Sequence, residues 1–180
     1  MKLMIASDIH GSAYYCKALL DAFEKEQADR LLILGDILYH GPRNDLPREY
    51  APKEVIAMLN AIKDKLFCVR GNCDTEVDQM VLEFPILADY CILPVGDRLG
   101  YATHGHNHNP DSPPPLIKGD VLLHGHTHVP KCTQHESYVY LNPGSVSIPK
   151  EDSWHGYMIL EDSRFTWKDF DGKEMMNYDA

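Results

Sequence analysis

Side chains that bind metal ions recur along this chain, each shortly after a run of apolar residues. In chain order they are Asp8, His10, Asp36, Asn72, Asp74, His104, His106, His124, His126 and His128. Imidazole, carboxylate and carboxamide groups suit Mn, Fe, Zn or Co better than Ca. Two divalent cations held about 3.5–4 Å apart need a shared anionic ligand between them, so we expect one carboxylate to bridge. The pattern therefore predicts a dinuclear site that supports hydrolysis.

The motifs differ in specificity when each is taken alone. An Asp-x-His sequence such as 8–10 is more often a turn than a site, and the Gly-Asp pair at 35–36 is a common turn sequence. The His-Gly-His sequence at 104–106 is less usual. Three histidines within 124–128 would be costly in a core, because buried imidazoles require partners. The recurrence of these motifs after successive apolar runs, with Gly-Asn-Cys-Asp at 71–74, predicts the site.

The apolar runs before the first three motifs predict a parallel sheet. They are residues 3–6, 31–34 and 66–69. Between them we expect a helix over about 12–25, with Ser12 as its N-cap, and a second helix that begins at Pro52. Alternating strands and helices imply right-handed crossovers and parallel strands. Ligands bind beyond the carboxyl ends of such strands, so the motifs should meet on one rim.

The second half of the chain is rich in short strands and poor in helices. We predict a hairpin over 91–102 and further strands at 121–123, 138–141, 157–160 and 165–167. The segments 36–51 and 104–115 are predicted to be long loops, which are usually functional in a compact domain. The expected architecture is two packed sheets with flanking helices, in one domain spanning 1–180.

Composition predicts a cytoplasmic protein without a membrane partner. The chain is 44% hydrophobic and 24% charged, and no apolar run approaches the roughly 20 residues of a membrane span. Met1 and Lys2 lead into only four apolar residues, so we expect no signal peptide. Five cysteines without a C-x-x-C pair favour a reducing compartment over disulfides or a thiolate site. The net charge of −10 makes nucleic acid an unfavourable partner.

With these motifs in this order, the sequence resembles the calcineurin-like metallophosphoesterases, whose pattern is D-x-H, G-D, G-N-H-[DE], H and G-H-x-H. The pattern covers essentially the whole chain, and the variant at 71–74 is similar to that of the YfcE-type bacterial phosphodiesterases. The resemblance implies an α/β fold, a four-layer αββα sandwich of two mixed sheets flanked by helices. It implies one ion held by Asp8, His10, Asp36 and His128, and a second held by Asp36, Asn72, His104 and His126, with Asp36 bridging.

The expected reaction is hydrolysis of a phosphodiester bond by a hydroxide that bridges two divalent transition-metal ions. We expect Mn²⁺, with Zn²⁺, Fe²⁺ or Ni²⁺ as alternatives. Both ions would polarise the phosphoryl oxygens and offset the charge that develops during in-line displacement. The residues expected to act in catalysis are Asp36, Asn72, Cys73, His104 and His106. Of these, His106 could contact the phosphate or could be structural or solvated.

Cys73 is where the chain departs from the family pattern. The usual residue there is a histidine, often assigned to protonating the leaving group or gripping the phosphate. A thiol is neutral near pH 7, with a reference pKa of about 8.5, and it is a weak donor. Asp74 then lacks the imidazole that it would orient. We therefore expect a preference for small phosphodiesters with good, aryl-type leaving groups, and poor activity on alkyl phosphomonoesters.

Other functions remain open on the sequence alone. The same fold can serve as a catalytically weak or inactive scaffold, like a retromer subunit with a degraded site, although the presence of all seven ligands favours catalysis. A phosphomonoesterase is the other alternative, which Cys73 disfavours, and a dedicated nuclease fits the acidic charge poorly.

Two groups of residues outside the motifs could contribute to the surface. Tyr39, His40, Arg43 and Asn44 could shape a substrate pocket or belong to a solvated loop. We expect Tyr138 and Tyr140 to be exposed strand residues that could contribute to a homo-oligomer interface, of a dimer or tetramer.

Overall fold

Eleven β-strands and three α-helices make up the fold in the computed structural model, which describes residues 1–180. The strands are β1 (Lys2–Ala6), β2 (Arg30–Ile33), β3 (Leu66–Cys68), β4 (Cys91–Val95), β5 (Arg98–Ala102), β6 (Asp120–Leu123), β7 (Lys131–Gln134), β8 (Tyr138–Asn142), β9 (Gly156–Glu161), β10 (Arg164–Asp169) and β11 (Glu174–Asp179). The helices are α1 (Ala13–Glu26), α2 (Pro52–Asn60) and α3 (Glu76–Gln79), and a 3-10 turn spans Lys63–Lys65. None of the helices has the length and apolar character needed to cross a membrane.

The strands form two mixed sheets. The first has the order β11-β10-β9-β1-β2-β3, in which β1, β2 and β3 are parallel and the remaining pairs are antiparallel. The second has the order β4-β5-β6-β8-β7, in which β5, β6 and β8 are parallel. The predicted parallel sheet and the predicted 91–102 hairpin are both confirmed.

Alternating side chains on the strands explain the layers. From β1, Met4 faces a core shared with α1 and α2, whereas Leu3 and Ile5 face a second core between the two sheets. This second core draws its apolar side chains from both sheets, so the sandwich is held together by burial between its two inner faces. The two-sheet sandwich with helices is confirmed.

The outer face of the second sheet is covered by loop rather than by helix. All three helices precede residue 80. The partly buried Leu116, just after the 104–115 loop, packs against a cluster of Leu122, Tyr138 and Tyr140 on that face. Tyr138 and Tyr140 are buried in the same cluster, with 6% of each side chain exposed. The expectation that these two tyrosines are exposed was wrong, because His135 stacks on Tyr138 and His124 on Tyr140, and Leu116 packs against the same cluster.

Local sequence signals place the first two helices. Ser12 caps α1, and its hydroxyl accepts a hydrogen bond from the backbone N–H of Tyr15 at 3.2 Å. Pro52 is the first residue of α2, where its missing N–H costs nothing. No helix or strand lies between β2 and α2, or between β5 and β6, so both predicted long loops are confirmed.

Candidate metal centre

The motifs meet on one rim of the sandwich. They follow the carboxyl ends of β1, β2 and β3 in the first sheet and of β5 and β6 in the second. Beyond the strand ends, the first two loops continue to pair: the N–H of Asp8 donates to Gly35 O at 3.1 Å, and that of His10 donates to Asp36 O at 2.9 Å. The rim is therefore an extension of the rigid sheet rather than a set of independent loops.

Asp8, His10 and His128 form the first cluster of ligand atoms. Oδ1 of Asp8 lies 3.5 Å from Nε2 of His10 and 3.3 Å from Nε2 of His128. Nδ1 of each ring donates a hydrogen bond of 2.7 Å to a carbonyl oxygen, that of Tyr39 for His10 and that of Ile148 for His128. Because a carbonyl can only accept, Nδ1 carries the proton and Nε2 of the neutral ring has a free lone pair.

Asp36, Asn72, His104 and His126 form the second cluster. Nε2 of His104 lies 3.4 Å from Oδ2 of Asp36, 3.0 Å from Oδ1 of Asn72 and 3.1 Å from Nδ1 of His126. His104 donates a hydrogen bond from Nδ1 to Leu34 O at 2.6 Å, so Nε2 is the ring nitrogen that faces the cluster. All seven predicted ligand residues are thus brought together on the rim.

Asp36 lies between the two clusters. Its Oδ2 is 3.4 Å from Nε2 of His104 and 3.7 Å from Nε2 of His10. Its Oδ1 accepts the backbone N–H of Cys73 at 2.8 Å, which fixes the orientation of the carboxylate. The same carboxylate therefore faces ring nitrogens from both clusters.

The first cluster is suited to a cation, because atoms with lone pairs converge there and no N–H or O–H group lies between them. Nε2 of His10 and Nε2 of His128 approach to 3.2 Å, although each neutral ring presents a lone pair. Oδ1 of the buried Asp8 has no hydrogen-bond partner, which is costly for a charged oxygen. A positive ion between these atoms would satisfy all three.

The charges of the two carboxyl groups strengthen this conclusion. Burial acts to raise the pKa of Asp8, but the adjacent rings of His10 and His128 outweigh it and hold the pKa well below its usual range. For Asp36, burial is likewise outweighed, by His104, and its pKa is lowered. Burial acts to lower the pKa of His104, but Asp36 and Asp8 raise it to about 9. Two ionised carboxylates therefore lie side by side and require positive charge.

The backbone at the site is in an unusual conformation. Five of the ligand residues have positive φ, namely Asp8 (59°), His10 (50°), Asp36 (55°), His126 (65°) and His128 (63°). Each non-glycine residue in this region costs on the order of 1–3 kcal/mol, and such residues cluster where function requires a fixed geometry. Hydrogen bonds around the rim offset the cost, since the hydroxyls of Ser145 and Ser147 both donate to Asp8 O, at 2.9 and 3.1 Å.

Two glycines let the ligand loops approach one another. A Cβ atom at Gly71 would overlap Oδ1 of Asp36, and one at Gly125 would overlap Oγ of Ser7 and lie 2.6 Å from Oδ2 of Asp8. Only glycine, which has no Cβ, allows this close approach of the loops at both positions. Any larger side chain would displace a carboxylate.

Asp74 has a role that the sequence did not indicate. It is buried, and its carboxylate accepts three backbone N–H groups, from Asp36 at 2.8 Å, Ile37 at 2.9 Å and Gly71 at 2.7 Å. It therefore ties the loop after β2 to the loop after β3. From the sequence, Asp74 was expected only to orient an imidazole that this chain lacks. Its contacts with backbone atoms could not be predicted, because any residue type can supply a backbone N–H.

The remaining predicted residues lie at the edge of the two clusters. The half-buried Cys73 has its Sγ within 4.8 Å of ligand atoms of His10 and Asp36. Burial, together with the charge of Asp36, raises the pKa of this thiol, so it is neutral. His106 is exposed, with its ring centroid 5.4 Å from that of His104. His124 is a core residue, stacked 4.3 Å from Tyr140.

The clusters form the floor of a cleft of about 420 Å³. Its wall contains Arg43, Asn44 and Lys150. The sequence allowed Arg43 and Asn44 either to shape a pocket or to belong to a solvated loop, and the structure places both at the cleft. A second groove of about 420 Å³ adjoins it and is mostly apolar. Its apolar residues are Leu38, Tyr39, Tyr50, Pro52, Ile56, Val77 and Val81. Cys73 lines both spaces.

The fold and this site belong to a known class. Residues 1–164 match the calcineurin-like phosphoesterase superfamily domain, and the chain belongs to that family. The family prediction is therefore confirmed. The chain is 48% identical over 161 residues to phosphodiesterase YfcE of Escherichia coli K12, covering 89% of this chain and 88% of that protein. The solved structure of YfcE, described as a phosphoesterase, superposes with a TM-score of 0.95 and 43% identity over 99% of both chains.

More distant relatives share the fold. Probable metallophosphoesterase YsnB of Bacillus subtilis is 25% identical over 167 residues, 89% of this chain and 83% of that protein. Wild-type Vps29 from Entamoeba histolytica superposes with a TM-score of 0.63 at 21% identity, over 99% of both chains. At that identity the likeness concerns the fold alone.

Proposed function

We propose that this protein is a phosphodiesterase of the YfcE type that uses two divalent metal ions. The enzyme class, a phosphoric diester hydrolase, follows from family membership and from 48% identity to YfcE over most of the chain. The observation that carries the dinuclear proposal is the position of Asp36, whose Oδ2 faces Nε2 of both His10 and His104. A carboxylate between two groups of acceptors is what a pair of cations requires.

The residues divide into two ligand sets that share Asp36. One ion would be held by Asp8, His10, Asp36 and His128, and the other by Asp36, Asn72, His104 and His126. We expect Mn²⁺ at both positions, with Zn²⁺, Fe²⁺ or Ni²⁺ as alternatives, since nitrogen and oxygen ligands bind all four. When bound, such ions supply Lewis acidity towards the phosphate and make water acidic enough to act as a nucleophile near neutral pH.

The protein's own residues hold this chemistry in place. The carbonyls of Tyr39, Leu34 and Ile148 each accept a hydrogen bond from Nδ1 of a ligand histidine and so turn its Nε2 towards the clusters. The N–H of His126 donates to Oδ2 of Asp8 at 2.9 Å, which leaves Oδ1 directed at the first cluster. These contacts fix both ring tautomers and carboxylate orientations before any substrate arrives.

The residue at position 73 is the argument for a diester substrate with a good leaving group. The thiol adjoins the clusters where the family commonly has an imidazole, and its raised pKa leaves it neutral and a weak donor. A poor leaving group would therefore gain little help from a general acid at this position. The apolar groove on the far side of Cys73 is a suitable space for an aryl ester arm, since its lining is mostly hydrophobic. His106, exposed beside His104, is a further candidate for contacting the phosphate.

The proposed setting is the cytoplasm, with a small phosphodiester rather than nucleic acid as substrate. All five cysteines are free thiols, which supports a reducing compartment. The net charge of −10 opposes the broad phosphate contacts that nucleic-acid binding needs. Tyr138 and Tyr140 are buried and no longer support an oligomer interface. A dimer or tetramer stays a prediction without a structural argument.

A screen of phosphate esters tests this function. The protein is treated with chelator, reloaded with Mn²⁺, Zn²⁺, Fe²⁺ or Ni²⁺, and assayed on bis(4-nitrophenyl) phosphate, 4-nitrophenyl phosphate and alkyl esters. We expect hydrolysis of the aryl diester only after metal addition, and slower hydrolysis of the monoester. An inert scaffold would hydrolyse none of them with any metal. Faster hydrolysis of the monoester would favour a phosphomonoesterase instead.

A further inference from the structure

We propose that Arg43 and Lys150 form an anion subsite beside the metal centre, which selects phosphodiesters that carry a second phosphate on one ester arm. The inference rests on the proposed function, because it concerns the substrate class of the same site. It begins from the cleft, whose floor is made of metal-ligand residues and whose lining includes both cationic side chains. Neither residue belongs to a metal-ligand motif.

The two side chains reach the cleft from different loops. Arg43 lies in the loop between β2 and α2, which also provides Asn44, and Lys150 lies in the loop between β8 and β9. Both loops are anchored to the site. The N–H of Lys150 donates to His128 O at 3.1 Å, so its backbone is joined directly to a ligand residue. The side chain of Asn44 donates to His40 O at 2.8 Å and braces the turn that carries Arg43.

Neither cation is paired within the protein. No carboxylate oxygen lies within 4 Å of Arg43 or Lys150, whereas Lys2, Lys17, Lys63, Arg70, Arg98, Arg164 and Lys168 all have such partners. Both are exposed, and most of the 17 basic residues of the chain likewise have no carboxylate partner, so position is what distinguishes this pair: they are the basic residues that line the cleft beside the metal ligands. Two unpaired cations in one cleft attract an anion.

The scissile phosphate does not by itself account for these charges. A simple phosphodiester carries one negative charge, and the proposed metal ions on the floor of the cleft would already bind it. The cations on the wall then remain uncompensated. A second phosphate on the substrate would pair with them, and a guanidinium binds phosphate oxygens through two parallel hydrogen bonds. A cleft of about 420 Å³ is within the range that takes a small ester with an additional phosphate.

Two substrates that differ by one phosphate test the proposal. They are the 4-nitrophenyl ester of thymidine 5′-phosphate and the same ester with a 3′-phosphate, which share leaving group and scissile bond. For the metal-loaded parent we expect kcat/KM to be at least about tenfold higher for the 3′-phosphorylated ester, as one or two charged hydrogen bonds would give. The double variant Arg43→Gln/Lys150→Gln should lose this preference. Its kcat/KM for the ester without the 3′-phosphate should differ from that of the parent by less than about threefold.

Lys131→Gln is the matched control, since Lys131 is exposed and lies outside the cleft. It should retain the parental preference. Equal losses of kcat/KM on both esters in the double variant would mean that the two cations grip the scissile phosphate itself, which contradicts the proposal. An unchanged preference would show them to be solvated and would also contradict it.

A binding measurement separates this inference from the proposed function. Calorimetry with thymidine 3′,5′-bisphosphate and thymidine 5′-phosphate needs no turnover, and it can be made on metal-loaded and chelator-treated protein. The parent should bind the bisphosphate at least about tenfold more tightly, and the double variant should not. If the parent hydrolyses neither ester but keeps this binding preference, the catalytic proposal fails and the anion subsite stands. Equal affinity of the parent for both nucleotides would overturn the subsite.

Discussion

At the scale of single residues, we propose that Cys73 limits which esters the site can cleave. Its thiol lies next to the ligand atoms of His10 and Asp36, and its pKa is raised by burial and by the charge of Asp36. The sequence predicted a neutral thiol from residue type alone, and the structure supplies the environment that keeps it neutral. The adjoining apolar groove could not be predicted, because its residues come from several separate segments.

Restoring an imidazole should widen the substrate range. In Cys73→His, we expect kcat/KM for alkyl esters and for monoesters to rise by about 10- to 100-fold relative to kcat/KM for an aryl diester. The reason is that general acid catalysis matters most for poor leaving groups. The measurement compares the variant and the parent on esters graded by leaving-group pKa. Cys73→Ser is the control for size. A parental substrate profile in Cys73→His would contradict the role assigned to this position.

At the scale of elements, the strand ends were predictable and the braces between loops were not. Fully apolar runs predict buried parallel strands, so β1, β2 and β3 and the rim beyond them followed from the sequence. Strands β7 and β11 were missed, because they are edge strands with largely exposed side chains and no apolar run. Asp74 was missed as a brace because its partners are backbone atoms.

Asp74→Asn should loosen the rim. Both carboxylate oxygens of Asp74 accept backbone N–H groups, and an amide would turn its NH₂ group towards a donor. We expect the free energy of unfolding to fall by about 1–3 kcal/mol and metal affinity to weaken about 10- to 100-fold. Urea unfolding and metal titration measure the two effects, with the exposed Asp64→Asn as control. Parental metal affinity in Asp74→Asn would show that Asp74 does not support the ligands.

Glu26 joins α1 to the first sheet and makes stability depend on pH. It accepts hydrogen bonds from Lys168 of β10 at 2.6 Å and from Lys2 of β1 at 2.8 Å. Burial acts to raise its pKa, but these lysines outweigh it and hold the pKa at about 2. An unfolded glutamate has a pKa of about 4.3, so the ionised group stabilises the fold above that pH. The contribution is lost as pH falls from about 4.3 towards 2.

Glu26→Gln should therefore lower the free energy of unfolding at pH 7 by about 1–2 kcal/mol, allowing for solvent screening. The difference from the parent should shrink as pH falls below about 4.3. Urea unfolding at pH 7, 5, 4 and 3 measures it. Glu24→Gln, on an exposed position of the same helix, is the charge-matched control. A difference that stays constant over this pH range would contradict the assigned cause.

At the scale of the whole molecule, the site joins both sheets. Its first cluster draws on β1 and β6, and its second on β2, β3, β5 and β6. The core between the sheets also contains residues of both. We therefore propose that residues 1–180 unfold as one domain, and expect a single calorimetric transition whose van't Hoff and calorimetric enthalpies agree. Two separate transitions in the metal-free protein would contradict it.

The convergence of Arg43 and Lys150 also belongs to this scale. The sequence indicated that the loop containing Arg43 could line a pocket, but it gave no reason to bring Lys150 there. Their proximity depends on the packing of the two sheets, which places the loop after β2 near the loop after β8. The sequence could not predict that both residues line one cleft, because they are more than 100 positions apart and neither belongs to a motif.

Metal stoichiometry tests the central proposal most directly. Chelator-treated protein is titrated with Mn²⁺, and bound metal per chain is measured together with hydrolysis of bis(4-nitrophenyl) phosphate. The account predicts two ions per chain, with activity that rises on binding of the second, and an Asp36→Asn variant that binds fewer ions and loses more than about 1000-fold in kcat. Full activity with one ion per chain, or near-parental activity of Asp36→Asn at saturating Mn²⁺, would contradict a dinuclear site bridged by Asp36.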